Sequence, residues 1–287
     1  MVGAVTPEQV QQSVDALFGH LAGSARPPAL EEPSMPDSGP HKVTVRGPLP
    51  TDQVTLMLGM RTAGCLHPDR WALSVLAQVL DTSLTKEIRY RQGLVDGLGV
   101  YNDLYQDTGY LAIQTTSSGR NRSTIQRTAE EYVQQIGEGQ VDAEEVARAQ
   151  AAIQGSWALS MEDNQSRASW LAGWATVLSD DEPVPDVPAL IGAVAPEDLT
   201  RVVTTYYTPE RRFVGLHLPY FDSAAGTLAK PWTYIAKPTL PKLAPVHNFQ
   251  RRLVNPDSIA IAVIPLALST PCRLRVQHQD LVRPGPG

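Results

Sequence analysis

The sequence has few cysteines and no long apolar run, and each absence excludes a class of protein. Two cysteines, Cys65 and Cys272, cannot build a disulfide framework, so we expect a reducing compartment such as the cytoplasm. No window of about 18 consecutive apolar residues exists, so we expect no membrane-spanning helix. Residues 2–26 lack the basic and apolar regions of a signal peptide. The sequence therefore predicts a protein that acts away from a membrane.

Positive charge is also scarce. The formal net charge is −6, and no basic stripe is present that could collect phosphates. We therefore expect no nucleic-acid partner. Hydrophobic residues make up 42% of the 287 residues, which is enough to bury a sizeable core.

Short catalytic and cofactor motifs are missing as well. None of the six histidines has a second histidine or a glutamate at the spacing that sets two metal ligands on one helix face, and neither HExxH, HxxEH nor CxxC occurs. A zinc site or another cofactor site built by this chain alone is therefore not expected. Phosphate-binding glycine loops and a GxSxG nucleophile turn are equally lacking. Cys65 is interpreted as a small buried residue, with a thiol enzyme that uses Cys65 as an alternative.

Periodicity and cap residues predict helices alternating with strands. A helix is predicted over residues 3–22, because Thr6 can cap it and Pro7 suits its first position. Further helices are predicted after His67, between residues 120 and 179, and after Ala195. Strands are predicted within 42–60, in a hairpin over 98–117, at 211–218 and at 258–265. This order predicts an α+β fold in which helices cover one face of a largely antiparallel sheet.

The segment from Thr82 to Asn102 is the strongest candidate for chemistry. It is predicted to start a separate helix, with Ser83 as its N-cap, and to bring Arg89 to the helix end beside a strand. An arginine at such a position can donate two hydrogen bonds to a peptide carbonyl or a carboxylate. The alternative is a structural ion pair of Arg89 with an acidic residue, for which Glu87, Glu130 and Glu131 are the candidates.

Two other patterns allow two interpretations each. Three of the five tryptophans, Trp157, Trp170 and Trp174, recur at the spacing of a buried helix face, which favours core packing over a ligand cage. The segments 3–18 and 192–207 both begin with the pattern Gly-Ala-Val-x-Pro-Glu. Common helix-start chemistry explains this similarity, and an internal repeat is the alternative.

The order of motifs resembles the insulinase-like zinc peptidases, also called pitrilysin or M16, and specifically their non-catalytic half. The motifs HPDRWALSVLAQVLD, KEIRYRQGLVD and GYLAIQTTSS follow one another as in that family. The helix that starts at Asp142 and the unit 194–218 fit as well, so the resemblance covers about residues 40–219. It implies an M16-like α/β roll.

The resemblance also implies a role for individual residues. The family's non-catalytic half holds the substrate backbone with an arginine and a tyrosine, and the arginine corresponds to Arg89. Seven residues further on, where the tyrosine is expected, the sequence has Asp96, and the nearest tyrosine is Tyr101. The resemblance thus implies that Arg89 and Tyr101 bind substrate, while Asp96 is expected to form an ion pair with Arg89. The loop that usually precedes the arginine helix is contracted to Asp81-Thr82-Ser83.

By the same resemblance, zinc is expected in a partner half that carries HxxEH, and this chain would close the chamber and help to hold a peptide. The chain would then be inactive alone. The alternative is a scaffold subunit without a proteolytic role.

The resemblance further implies a domain organisation. The predicted non-catalytic domain spans residues 42–219. It is preceded by the terminal helix of another domain at 1–26 and a linker at 27–41. It is followed by a proline-rich linker at 220–250 and by a strand of a following domain with a tail at 251–287.

Overall fold

The computed structural model describes residues 2–21, 41–47, 52–177 and 183–219, and the backbone of two short strands at 221–222 and 227–228. The strand predicted at 258–265 lies outside the described residues, as does nearly all of the predicted linker 27–41. Within the described ranges, no helix combines the length and apolar character that crossing a membrane requires. The predicted compartment stays a prediction.

A five-stranded sheet forms the centre of the fold. Its strands are β1 His41–Gly47, β2 Gln53–Thr62, β3 Val95–Leu104, β4 Gly109–Ser118 and β5 Arg212–Pro219. Their spatial order is β1-β5-β2-β4-β3. Only β1 and β5 are parallel, and the other three neighbouring pairs are antiparallel. The short strands β6 Phe221–Asp222 and β7 Thr227–Leu228 pair separately. The predicted α+β class with a largely antiparallel sheet is confirmed.

The described part of the chain contains seven α-helices. They are α1 Pro7–Phe18, α2 Arg70–Leu84, α3 Arg122–Gly137, α4 Ala143–Ser160, α5 Asn164–Ala175, α6 Val187–Gly192 and α7 Pro196–Tyr206. A π-helix, Thr85–Arg91, follows α2 directly, and a 3₁₀ turn, Gly119–Asn121, precedes α3. The cap predicted at Thr6 is present, and Asp142 caps the helix predicted to start there, because each side chain accepts a backbone N–H of its helix. Helix α6 was not predicted.

Helices cover one face of the sheet, as predicted. Alternate side chains of β2, including Val54, Leu56 and Leu58, are buried, and α2, α3 and α7 contact the sheet. On β1, Val43 and Val45 are exposed. The alternation follows from strand geometry, because successive side chains point to opposite faces.

The tryptophans belong to the core. Trp157, Trp170 and Trp174 are all buried, and their rings meet edge to face at centroid distances of 4.9 and 6.3 Å. The guanidinium of Arg70 stacks 4.5 Å from the centre of the Trp174 ring. The prediction of core packing is therefore confirmed. Cys65 is likewise fully buried, as its preferred interpretation predicted.

Candidate functional site

The candidate site lies where α2 continues into the π-helix Thr85–Arg91. The predicted helix start at Ser83 is wrong, because α2 runs through this position and no loop separates it from the π-helix. Leu80, Leu84 and Ile88 are each fully buried and extend one apolar stripe across the junction. The Ser83 hydroxyl donates instead to the carboxylate of Glu145. A serine inside a helix can bond sideways in this way rather than cap.

The π-helix turns the chain toward β3. The backbone N–H of Gln92 donates to the carbonyl of Glu87, five residues earlier, at 3.0 Å. Gly93 then adopts a φ of 62°, which a glycine tolerates and most other residues do not. This wide turn ends the helix and leads into β3 at Val95. Short π-helical turns are frequent at functional sites.

Arg89 is exposed on this π-helix, and its guanidinium lies 5.2 Å from the centre of the Tyr90 ring. The first predicted partner, Glu87, binds Arg91 instead, at 2.8 Å. Among the described residues, no carboxylate lies within ion-pair distance of Arg89. Its planar set of N–H donors is therefore open to an external carbonyl or carboxylate.

Asp96 and Tyr101 both lie on β3 and are both exposed. The ion pair predicted between Arg89 and Asp96 is not formed within the described part of the structure. Tyr101 is 45% exposed, and its ring lies over Gly99 on the face of the sheet away from the helices. The assignment of Arg89 and Tyr101 to substrate binding stays a prediction.

The ring that contacts Arg89 is Tyr90, which sequence reasoning did not select. Tyr90 is 70% exposed, more than any other large apolar or aromatic side chain of the described residues. Its adjacency to Arg89 in the sequence was a usable signal. It was missed because neighbouring residues on a regular α-helix point about 100° apart.

Two carboxylate clusters, one partly buried around Glu145 and one buried around Asp69, hold the helices that pack against α2. Glu145 on α4 accepts hydrogen bonds from Ser83 at 3.1 Å and from the Tyr132 hydroxyl on α3 at 3.0 Å. This cluster ties the end of α2 to α3 and α4. Burial raises the pKa of Tyr132 to about 12, and the negative charge of Glu145 adds to the shift.

The second cluster joins the start of α2 to α7. The Asp69 carboxylate is buried and accepts a hydrogen bond from the Arg201 guanidinium at 2.6 Å and from the Tyr206 hydroxyl at 2.9 Å. Burial, followed by the hydrogen bond to Asp69, raises the pKa of Tyr206 to about 12. The hydrogen bond to Asp69 raises the pKa of Arg201. These contacts fix both ends of α2.

No group of three or more histidine, cysteine, aspartate or glutamate side chains that could hold a metal ion occurs in the described ranges. Arg89 and Tyr90 on the π-helix and Tyr101 on the outer strand β3 are exposed side chains that carry N–H or O–H donors.

Comparison with known proteins gives a family match. The sequence model described as the peptidase M16 inactive domain matches residues 1–153. An uncharacterized zinc protease of Streptomyces coelicolor is 24% identical over 209 residues, which is 70% of this chain and 45% of that protein. An uncharacterized zinc protease of Bacillus subtilis is 24% identical over 162 residues, which is 55% of this chain and 38% of that protein. The chain thus spans less than half the length of these two curated relatives.

Solved structures agree on the fold. A protease from Helicobacter pylori superposes with a TM-score of 0.66 at 18% identity, over 76% of this chain and 54% of that chain. A peptidase M16 inactive domain from Pseudomonas fluorescens superposes with a TM-score of 0.66 at 16% identity, over 76% of this chain and 52% of that chain. The resemblance derived from the ordered motifs is confirmed.

Proposed function

This chain belongs to the peptidase M16 family through its inactive domain, and from this premise we propose that it is the non-catalytic half or subunit of a zinc peptidase. In this proposal it closes the chamber and helps to hold a peptide for a partner that carries HxxEH and the zinc ion. Its own contribution is the positioning of substrate rather than bond cleavage. Correct positioning alone lowers a reaction barrier, because it removes orientational freedom before the chemical step.

The observation that carries this proposal is the open guanidinium of Arg89. The neighbouring Arg91 is neutralised by Glu87 at 2.8 Å, whereas Arg89 contacts only an aromatic ring among the described residues. A peptide that pairs with a sheet edge of the partner presents carbonyl oxygens and a terminal carboxylate. Arg89 would donate to one of these groups, and the Tyr101 hydroxyl would supply a second donor.

The domain organisation is part of the same proposal. We propose that residues 42–219 form the non-catalytic domain and that 1–26 contain the last helix of a preceding domain. The similarity of 3–18 to 192–207 supports this division. Aligning the two segments pairs Val14 of α1 with Val203 of α7, and Val203 is buried while Val14 is exposed. Helix α1 thus exposes a valine at the position that corresponds to a buried valine of α7. Residues 27–41 and 220–250 would be linkers, with 251–287 contributing to a following domain.

Reconstitution with a partner tests the assembly. The full chain should co-purify with an M16 protein that carries HxxEH, zinc should be found in that partner, and only the complex should cleave peptides. If the chain alone binds stoichiometric zinc and cleaves peptides, the proposal is wrong.

The role of Arg89 has a matched control two residues away. In the active complex, Arg89→Ala should lower kcat/KM by roughly tenfold or more, the effect of losing one charge-assisted hydrogen bond. Arg91→Ala removes the same charge from the same helix but from a residue already paired with Glu87, so it should change kcat/KM less than about twofold. Equal effects of the two variants, or unaltered kinetics in both, would remove Arg89 from the substrate site.

A scaffold subunit without proteolytic role is the second candidate function. Asp96 favours it, because an aspartate stands where the resemblance calls for the substrate-holding tyrosine. A stable assembly purified with this chain that contains no HxxEH-bearing protein would support the scaffold and contradict the peptidase proposal.

A further inference from the structure

The β3 strand forms one edge of the main sheet. It pairs only with β4 in the described part of the chain. In an antiparallel pair, alternate residues bond to the neighbouring strand and the residues between them point their N–H and C=O groups outward. Tyr105 directs its N–H to the carbonyl of Thr108 across the hairpin, at 2.7 Å. Counting back from Tyr105, the residues that face the open edge are Leu104, Asn102, Val100 and Leu98.

One of these outward groups is already bonded. The N–H of Val100 donates to the carboxylate of Asp81 on α2 at 3.0 Å. Seven residues earlier on α2, the Ser74 hydroxyl accepts a hydrogen bond from the Asn102 side chain at 3.3 Å. Seven residues are two helical turns, so Ser74 and Asp81 lie on the same face of α2. Helix α2 therefore runs along β3 and is hydrogen-bonded to it at two points, of which Asp81 reaches the edge.

The Asp81 carboxylate is partly buried, and removing a charged group from water costs free energy. The surrounding fold therefore holds the carboxylate at this position. Burial of Asp81 raises the pKa of its carboxyl group, and the hydrogen bond from Val100 only partly opposes that shift. A carboxylate in this position is partly removed from water and has a backbone donor as compensation.

We propose that Asp81 closes the centre of the β3 edge to strand addition, so that neither an extended peptide nor a second copy of this chain pairs across Val100. Strand addition would require a carbonyl of the incoming strand to accept the Val100 N–H. The carboxylate occupies that place, and displacing it would break a charge-assisted hydrogen bond. Exposed edges are a general hazard for edge-to-edge association, and a charged side chain turned onto the edge is one known protection. This inference does not rest on the proposed function.

Amide hydrogen exchange of the unmodified full chain, measured residue by residue, gives the first test. The Val100 amide should exchange at least about tenfold more slowly than the outward-facing amides of Asn102 and Leu104, since Val100 alone of the three has a charged acceptor among the described residues. Equal exchange rates at the three positions would overturn the proposal, whatever happens to any variant.

Variants supply the second test. Asp81→Ala removes the acceptor, so the exchange of the Val100 amide should rise to that of Asn102, and sedimentation should show association that increases with protein concentration. Asp81→Asn keeps a side-chain oxygen that can accept the same bond, so it should retain slow exchange and the oligomeric state of the unmodified chain.

Ser74→Ala is the matched control, because it removes the second described hydrogen bond between α2 and β3 without freeing a backbone N–H. It should leave the oligomeric state unchanged. A folded Asp81→Ala variant with slow exchange at Val100, or one that associates no more than Ser74→Ala, would refute the role of Asp81.

Discussion

Replacing Asp69 with alanine should lower the free energy of unfolding by about 2–4 kcal/mol, because one buried carboxylate joins α2 to α7. The Tyr206 hydroxyl, in a residue only 5% exposed, would lose its acceptor, and an unsatisfied buried hydroxyl costs about 1–3 kcal/mol. The Arg201 guanidinium is half-exposed and keeps Asp198 at 3.2 Å as a second partner. Loss of the ion pair between Arg201 and Asp69 should therefore contribute only about 1 kcal/mol or less, because solvent screens it.

Thermal and urea unfolding at pH 7 measure this effect. For a protein of this size, the expected destabilisation lowers Tm by about 4–16 °C. Glu131→Ala is the control, because it removes an exposed ion pair with Arg127 at 3.8 Å and should change the stability by no more than about 0.5 kcal/mol.

A double-mutant cycle separates the hydroxyl from the ion pair. Tyr206→Phe alone should cost about 1 kcal/mol, because Asp69 keeps Arg201. In the background of Asp69→Ala, the same change should cost nothing further, since it removes a hydroxyl that already lacks its acceptor. The reasoning is refuted if Asp69→Ala costs less than about 1 kcal/mol, or if the two substitutions simply add.

Two further predictions concern packing and titration. Gly59→Ala should destabilise the fold by about 2 kcal/mol or more in urea unfolding, because its new methyl carbon would lie 2.5 Å from the Leu111 carbonyl oxygen. Gly97→Ala is the control: its methyl group meets nothing within 4 Å, so it should change the stability by less than about 1 kcal/mol. Equal effects would contradict the packing of β2 against its neighbours. The pKa of Tyr132 in the folded protein is about 12, above its ordinary value of 10.0, so the stability due to its neutral hydroxyl is fully present below pH 10 and is lost as the pH rises from 10 to 12. Tyr132→Phe should therefore show a shallower loss of stability over this pH range, and parallel curves for the two proteins would argue against the burial of the Tyr132 hydroxyl.

Local features of the fold could be predicted where the signal lies within a few residues. The Thr6 and Asp142 caps, the hairpin between β3 and β4, and the buried face of α2 each depend on neighbours one or two turns away. Helix α6 was missed because it has only six residues, too few to show a helical apolar periodicity. The false helix start at Ser83 arose because serine favours caps, while its actual partner, Glu145, is 62 residues away.

The candidate site likewise has one feature that the sequence could predict and one that it could not. Arg89 could be selected from the sequence, since an arginine near the end of a helix is recognisable from its position. Its freedom from a carboxylate partner within the described residues could not, because the candidates Glu130 and Glu131 lie on α3, whose position relative to Arg89 depends on the packing. The turn of the π-helix and the bond between Glu87 and Arg91 decide which arginine stays open.

The sequence by itself determined the fold class, the family and the lack of a zinc motif, because these follow from periodicity and from the order of short motifs. Only the tertiary structure decided that Asp69 meets Arg201 and Tyr206 and that Asp81 meets Val100 at the open edge of β3. Such contacts depend on how helices are laid across a sheet. The sequence around a carboxylate does not indicate which distant donor it will contact. That partner is determined by how the buried apolar faces of the helices pack on the sheet.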